Sequence, residues 1–177
     1  MGRIAILRLG HRPTRDKRIT THVCLVARAF GAQGVYIAGS RDEALGSTVK
    51  KVVEAWGGPF WVEFATSPLS LVKDWKKAGG KVAHLTMYGL PLSEAAKKLD
   101  VSDDILVVVG GEKVPPQYYQ YSDYNVAVSS QPHSEVAALA IFLDRLTSGH
   151  WENKTFKNGK LMIVPSSRGK TVKQIGC

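Results

Sequence analysis

Strand-like and helix-like segments alternate along residues 3–146. Short apolar runs typical of β-strands occupy residues 3–9, 35–38, 60–65, 82–86, 104–109 and 125–128. Amphipathic segments typical of helices lie between or after them, at residues 22–30, 42–56, 69–78, 93–99 and 134–146. Because helical connections favour parallel strand pairing, this order predicts an α/β fold with a mainly parallel sheet and helices on both faces.

Capping residues and one apolar run refine this prediction. Thr20 or Thr21 is expected to cap the first helix, and Ser93 and Ser134 two later ones. Residues 104–109 are almost entirely apolar, which predicts a strand buried on both faces. A chain of 177 residues is long enough for one such domain, which we assign to residues 1–150.

Positive charge is concentrated at the two ends of the chain. The net charge is +9, and residues 1–28 carry seven Lys and Arg against one acid. Residues 150–177 carry six against one, while residues 29–149 are slightly acidic. This clustering favours a polyanionic partner, RNA or DNA, over a merely solubilising surface. The candidate phosphate-binding residues are Arg8, Arg12, Arg15, Lys17, Lys157, Lys160, Arg168 and Lys170.

The last 27 residues differ in kind from the body. Residues 154–158 and 160–165 flank Asn158-Gly159, a dipeptide that is a strong signal for a hairpin turn. We therefore predict a basic β-hairpin extension over residues 151–177. The alternative is a flap that only stabilises the body.

Several classes of protein are disfavoured. Two cysteines, Cys24 and Cys177, form neither a disulfide framework nor a metal cluster, so no metal is expected and a reducing cytoplasm is the simplest location. No signal peptide is evident, and no apolar run approaches the ~18 residues of a membrane span.

Two loops are candidates for a ligand pocket. Gly110-Gly111 directly follows the apolar strand 104–109, where open α/β sheets bind ligands and bare backbone allows close approach. The polar loop 129–132 precedes the helix that begins near Ser134, whose first N–H groups are unpaired. If the two loops lie side by side, they form one pocket. Taken singly, the first loop is also explained as a tight turn and the second as a simple helix cap. Neither loop has the GxGxxG pattern of a nicotinamide site.

Four tyrosines fall in a segment that we interpret as a loop. Tyr118, Tyr119, Tyr121 and Tyr124 favour a subunit interface slightly over base stacking.

Four long strings together resemble one family. They are LRLGHRPTRDKRITTHVCLVARAFGA at residues 7–32, HLTMYG at 84–89, VVGGEKVP at 108–115 and VAVSSQPHSEVAALAIFLDRL at 126–146. They resemble the archaeal tRNA cytidine-56 2′-O-methyltransferases of the SPOUT superfamily, and the resemblance extends over essentially the whole chain.

This resemblance implies a homodimeric, cytoplasmic enzyme with a C-terminal trefoil knot, a rare exception to unknotted topology. It implies methylation of the ribose 2′-hydroxyl of cytidine 56 in the T-loop of tRNA, with S-adenosyl-L-methionine as cofactor. The cofactor-binding residues that it implies are Leu85, Gly110, Gly111, Glu112, Lys113, Val114, Val128, Ser129, Ser130, Gln131, Pro132, His133, Ser134 and Glu135.

Related ribose methyltransferases use a catalytic arginine in the first motif, and this sequence departs from that pattern. Leu25 stands at that place here, and Arg28 lies three residues later. Arg18, and after it Arg15, are the expected substitutes. An arginine would need a neighbouring phosphate to act as a base, because its own pKa exceeds about 12.

Three alternatives stay open. The first is a SPOUT methyltransferase that acts on another RNA site, in rRNA or elsewhere in tRNA. The second is a non-catalytic RNA-binding module. The third, a small-molecule α/β enzyme, would leave the two cationic ends unexplained.

Overall fold

Six parallel strands form the central sheet, in the order β3-β2-β1-β5-β4-β6. The structure is a computed structural model that describes residues 2–111 and 113–175. The strands are β1 (Ile4–His11), β2 (Gly34–Gly39), β3 (Trp61–Ala65), β4 (Lys81–Pro91), β5 (Ile105–Val109) and β6 (Tyr124–Ala127). The predicted α/β fold with a mainly parallel sheet is confirmed.

Helices cover both faces of this sheet. They are α1 (Pro13–Ala29), α2 (Glu43–Trp56), α3 (Pro68–Lys77), α4 (Leu92–Ala95), α5 (Pro116–Tyr121) and α6 (Glu135–Thr147). The larger apolar cluster packs α1, α2 and α6 on one face, through side chains such as Cys24, Leu45 and Phe142. The smaller cluster packs α3 and α5 on the other face, through Val72, Trp75 and Tyr118. The molecule therefore has three layers.

Strand β5 lies in the interior of the sheet. It pairs in parallel with β1 and with β4, and all five of its side chains are at most 1% exposed. The apolar run predicted to be buried on both faces is confirmed. Because parallel neighbours end at the same edge, the loops that follow β1, β4 and β5 come together there.

Of the predicted caps, Ser134 is confirmed, and the structure adds Asp42, which was not predicted. Asp42 accepts a hydrogen bond from the backbone N–H of Leu45 at the start of α2, at 3.0 Å. Ser134 accepts one from Val136 at the start of α6, at 3.2 Å. Both caps satisfy donors that a helix N-terminus leaves unpaired.

Other predicted boundaries are wrong. Helix α1 begins at Pro13, about two turns before Thr20 and Thr21, since proline's fixed φ suits the first helical position. Helix α4 has Pro91, not Ser93, as its N-cap and ends at Ala95. The tyrosine segment is not a loop: α5 holds Tyr118, Tyr119 and Tyr121, and Tyr124 opens β6.

The C-terminal extension contains a hairpin, but its turn is not at Asn158-Gly159. Strands β7 (Leu161–Val164) and β8 (Thr171–Gln174) pair antiparallel across residues 165–170. Lys157 instead forms an isolated bridge with Gly58 of the body, and the backbone N–H of Lys160 donates to Ala55. The pairing partner of the Asn158 segment is therefore the body, which local sequence does not reveal.

Further contacts hold the extension against the body. The Lys154 ammonium donates to the Gly31 carbonyl at 2.8 Å, and the Arg28 guanidinium lies 4.1 Å from the centre of the Phe156 ring. The division into residues 1–150 and 151–177, like the knotted threading, stays a prediction.

Candidate functional site

A cavity of about 490 Å³ opens at the carboxyl ends of β1, β4 and β5. Its walls come from a bulge within β4, the end of β1, the loop after β5, the first turns of α1 and the segment that leads into α6. The lining residues are Arg8, Gly10, Arg12, Arg15, Asp16, His84, Leu85, Thr86, Met87, Tyr88, Val109, Gly110, Gly111, Val114, Tyr119, Pro132, His133, Glu135 and Ala138. The volume is in the range of pockets that hold small ligands and cofactors.

The first wall is a bulge in β4. Leu85 and Leu90 both pair with Val126 of β6, so the residues between them leave the ladder. Thr86, Met87 and Tyr88 line the cavity from this bulge, beside Leu85. Reasoning from local pattern treats β4 as a plain strand and misses this wall; the family resemblance supplies Leu85 alone.

The second wall follows β5. A Cβ atom at Gly110 would clash with a Val114 methyl group, so only bare backbone fits there. Gly111 and Val114 also line the cavity. Lys113 instead faces a second cavity, described below, and Glu112 lies outside the described residues.

The third wall precedes α6. Pro132, His133 and Glu135 line the cavity, as predicted from the resemblance. The predicted residues Val128, Ser129, Ser130, Gln131 and Ser134 belong to the same segment but do not line it. Ser129 accepts a hydrogen bond from Gln131 N–H, and Ser134 caps α6, so both shape the loop.

The fourth wall, the N-terminal part of α1, is cationic. Arg12 and Arg15 line the cavity, whereas Arg18 and Lys17 are exposed on the next turn and do not. Arg12 donates from Nε to Asp16 at 2.8 Å, and this hydrogen bond lowers the pKa of that carboxyl. Arg15 and Arg18, three residues apart, share one helix face.

Arg8 lies buried at the base of the cavity. Its side chain is 2% exposed and pairs with Glu135 at 3.1 Å, while Nη1 donates to the Leu9 carbonyl at 2.6 Å. Burial lowers the pKa of Arg8, and the charge of Glu135 opposes that shift. The prediction that Arg8 grips an RNA phosphate does not fit this position. Its burial follows from its place on β1, which sequence pattern treats as a surface charge.

A polar network stands on the opposite side of the cavity. His84 Nδ1 lies 2.9 Å from Asn125 Oδ1, and the Asn125 amide nitrogen donates to the Tyr119 carbonyl. Tyr119 also contacts His84 edge to face, with ring centres 4.6 Å apart. Burial lowers the pKa of His84, so the imidazole stays neutral at physiological pH.

A second cavity of about 640 Å³ adjoins the first. The two share Gly10, Arg12 and Gly111 in their walls. Its remaining walls come from β1, β2, α3 and the loop into α5, and they are mostly apolar. The residues that line only this second cavity are Leu9, His11, Ala38, Gly39, Ser40, Pro68, Lys113, Pro115 and Tyr118.

His11 joins three elements beside that second cavity. Its Nδ1 lies 2.9 Å from Thr20 Oγ1 of α1, and its Nε2 lies 3.6 Å from Asp42 Oδ2 at the start of α2. Burial lowers the pKa of His11, with Asp42 opposing the shift. His11 therefore helps to set the position of α1 and its arginines.

The predicted RNA-binding residues of the extension are all exposed. Lys157 and Lys160 precede β7, whereas Arg168 and Lys170 lie in the turn between β7 and β8. Among residues 2–111 and 113–175, no three His, Cys, Asp or Glu side chains come together as metal ligands. Within the same ranges, no helix is long and apolar enough to cross a membrane.

Comparison with known proteins gives matches of sequence over nearly the whole chain. The family model described as tRNA ribose 2′-O-methyltransferase, aTrm56, matches residues 56–173. A tRNA (cytidine(56)-2′-O)-methyltransferase of Methanopyrus kandleri is 53% identical over 173 residues, 98% of this chain and 97% of that protein. The protein of the same name from Thermococcus kodakarensis is 54% identical over 176 residues, 97% of each chain.

Solved structures match in fold. An RNA methyltransferase of the TrmH family from Porphyromonas gingivalis superposes with a TM-score of 0.65 at 15% identity, covering 82% of this chain and 59% of that one. The SpoU methyltransferase AviRb from Streptomyces viridochromogenes, solved with AdoMet, gives 0.58 at 21% identity, covering 82% and 57%. The chain spans less than two thirds of either structure, and the likeness shows a shared fold.

The Arg8–Glu135 pair predicts an asymmetric response to substitution. Glu135→Gln leaves the buried Arg8 charge uncompensated, and we expect it to lower the free energy of unfolding by about 3 kcal/mol. Arg8→Met should cost less, because Glu135 is 25% exposed and reaches water. The double variant should recover part of the loss, measured by urea unfolding as a double-mutant cycle.

The exposed Lys50–Glu54 pair of α2, at 3.9 Å, is the matched control. Glu54→Gln should change stability by less than about 0.5 kcal/mol. Equal losses for Glu135→Gln and Glu54→Gln would contradict the role assigned to the buried pair.

Proposed function

The chain belongs to the aTrm56 family of tRNA ribose 2′-O-methyltransferases, and we propose that it methylates the 2′-hydroxyl of cytidine 56 in tRNA with S-adenosylmethionine as donor. One observation carries the proposal. Three loops at the edge of a parallel sheet enclose a cavity whose fourth wall is the arginine-bearing start of α1. A cofactor cavity and a phosphate-binding helix therefore meet at one place.

The cavity suits a nucleoside cofactor. Gly110 allows a ligand to approach the backbone, and Leu85 and Val114 supply apolar contacts. Glu135 lines the same cavity, with its carboxylate held by Arg8. These residues, with Gly111, Pro132 and His133, would hold the cofactor, which supplies an electrophilic methyl group when bound.

The chain's own contribution to the reaction is alignment. The ribose 2′-oxygen must approach the methyl carbon from the side opposite the bond that breaks, and holding two reactants in this way can supply ~7–11 kcal/mol. The 2′-hydroxyl also has to lose its proton as the new C–O bond forms. A guanidinium cannot take that proton unaided, but it can bind the adjacent RNA phosphate, which accepts it.

We assign this guanidinium to Arg18, with Arg15 as the second candidate. Both lie on one face of α1, and Arg15 lines the cavity of its own protomer while Arg18 projects from the next turn. The exposed position of Arg18 suits a contact with RNA or with the cavity of a second copy.

A homodimer is part of the proposal. Large apolar side chains are exposed on elements that bound the cavity: Tyr88 by 76%, Leu90 by 56% and Ile141 by 47%. We infer that a second copy of the chain covers them. Sedimentation of the purified chain measures the oligomeric state and tests this inference. The enzyme would work in the cytoplasm, where its tRNA substrate is made.

Two other functions are weaker. A SPOUT methyltransferase acting on another RNA would keep the cavity, and the absent first-motif arginine at Leu25 keeps this alternative open. A non-catalytic RNA-binding module would leave the enclosed cavity and its Gly110 backbone unexplained.

One prediction of the proposed function concerns the reaction and its target nucleotide. Labelled S-adenosylmethionine and an unmodified tRNA transcript should yield label on the 2′-oxygen of cytidine 56, located by nuclease mapping. A transcript with deoxycytidine at position 56 is the matched control and should take up no label. Label at another nucleotide, or none despite cofactor binding, would contradict the assigned target.

The second prediction separates the two arginines. Arg18→Ala should lower kcat by about 100-fold or more, because under this proposal it removes the guanidinium that binds the phosphate next to the reacting 2′-oxygen. Its affinity for S-adenosylhomocysteine, measured by calorimetry, should not change, since Arg18 does not line the cavity.

Lys17→Ala, at the neighbouring exposed position, should raise KM for tRNA and spare kcat. If Arg15→Ala gives the large loss of kcat and Arg18→Ala does not, the catalytic role belongs to Arg15.

The third prediction concerns the extension. Replacing Arg168 and Lys170 by Gln should weaken tRNA binding and reduce the slope of log affinity against log salt by roughly 0.7–0.9 per lost phosphate contact. Replacing Lys50 and Lys77, exposed on α2 and α3, removes the same charge and is the control. Equal effects of the two pairs would mean that only net charge matters.

A further inference from the structure

The second cavity adjoins the proposed cofactor cavity without being needed for it. Gly10, Arg12 and Gly111 stand in the walls of both, so a ligand in one lies next to a ligand in the other. We propose that the second cavity is the subsite for the pyrimidine base of the nucleotide whose ribose is methylated. This inference rests on the proposed function and specifies how the enzyme holds its substrate.

The covalent structure of a nucleotide supports this placement. The 2′-oxygen is only two bonds from the ribose carbon that carries the base. When that oxygen faces the methyl group at the junction of the cavities, the base must lie in the space next to the cofactor. The second cavity is the adjoining space, on the β2 side of β1.

The chemistry of the walls fits a nucleotide. Leu9, Ala38, Pro68 and Tyr118 give apolar surface for the faces of a planar base. Tyr118 is 6% exposed and packed in the smaller core cluster, so this surface is rigid. An aromatic or apolar wall accepts a base that has left its stack.

Cations stand at the same cavity. Lys113 is exposed in the loop after β5, and Arg12 belongs to the wall shared with the cofactor cavity. Together they place positive charge where the phosphates that flank the base would run. The proposal therefore assigns Lys113 to RNA binding, whereas the family resemblance predicts a cofactor contact.

Gly39 and Ser40 shape the rim of the second cavity. Gly39 has φ +131°, and a Cβ atom there would clash with the His11 carbonyl, so β2 approaches β1 closely at this point. Ser40 follows at the rim, is exposed, and donates its backbone N–H to the His11 carbonyl at 2.9 Å. A large side chain at Ser40 would therefore narrow the cavity without entering the core.

The test uses Ser40→Phe with Ser47→Phe as matched control, since Ser47 is exposed on α2 and lines neither cavity. Ser40→Phe should lower kcat/KM for tRNA by about 10- to 100-fold through misplacement of the ribose. Its affinity for S-adenosylhomocysteine should stay within twofold of wild type, which also shows that the variant folds.

A direct readout comes from a tRNA that carries a fluorescent cytidine analogue at position 56. Emission should rise on binding to wild type and to Ser47→Phe, as the base leaves its stack, and should not rise with Ser40→Phe. Lys113→Gln, which does not alter the cavity's shape, should weaken tRNA binding and leave S-adenosylhomocysteine binding unchanged.

The outcomes separate this inference from the proposed function. A wild-type enzyme that methylates cytidine 56 while Ser40→Phe matches Ser47→Phe in rate and emission would overturn the base subsite alone. A wild-type enzyme that binds S-adenosylhomocysteine but labels no tRNA cytidine would overturn the proposed function, and with it the subsite.

Discussion

The pairing of β5 between β1 and β4 is the constraint on which the rest of the structure depends. All five β5 side chains are buried, and a shift of one residue would move each of them to the other face of the sheet. The ladders on both sides fix the register, with Val109 opposite Arg8 of β1 and Leu85 of β4, and with it the point at which β5 ends beside its neighbours. The loops after β1, β4 and β5 are brought to one edge as a consequence, and both cavities form there.

Charge is distributed in two distinct ways around that edge. Arg8 is buried beneath the proposed cofactor cavity and balanced by Glu135, so it holds β1 against the start of α6. The cations of α1 and of the C-terminal hairpin are exposed instead, in segments that flank a slightly acidic middle part of the sequence. The buried charge positions elements, while the exposed charges are available to a polyanion.

Most elements follow from local pattern, and the errors have local causes. The apolar run of β5 and the Ser134 cap are found where periodicity and capping chemistry place them. Helix α1 begins earlier because Pro13 starts a helix better than a threonine about two turns later. The Asn158-Gly159 signal fails because that segment bridges to Gly58, far away in sequence.

By itself the sequence determined the α/β class, the buried central strand, the two cationic ends and, through long family-like strings, the reaction class. Tertiary structure alone decided that Arg8 is buried, that Lys113 lines the second cavity and not the proposed cofactor cavity, that β4 bulges towards the latter, and that the two cavities share a wall. The physical reason is that strand and helix patterns are local. A cavity depends on which distant loops the sheet register brings together, and no single segment carries that information.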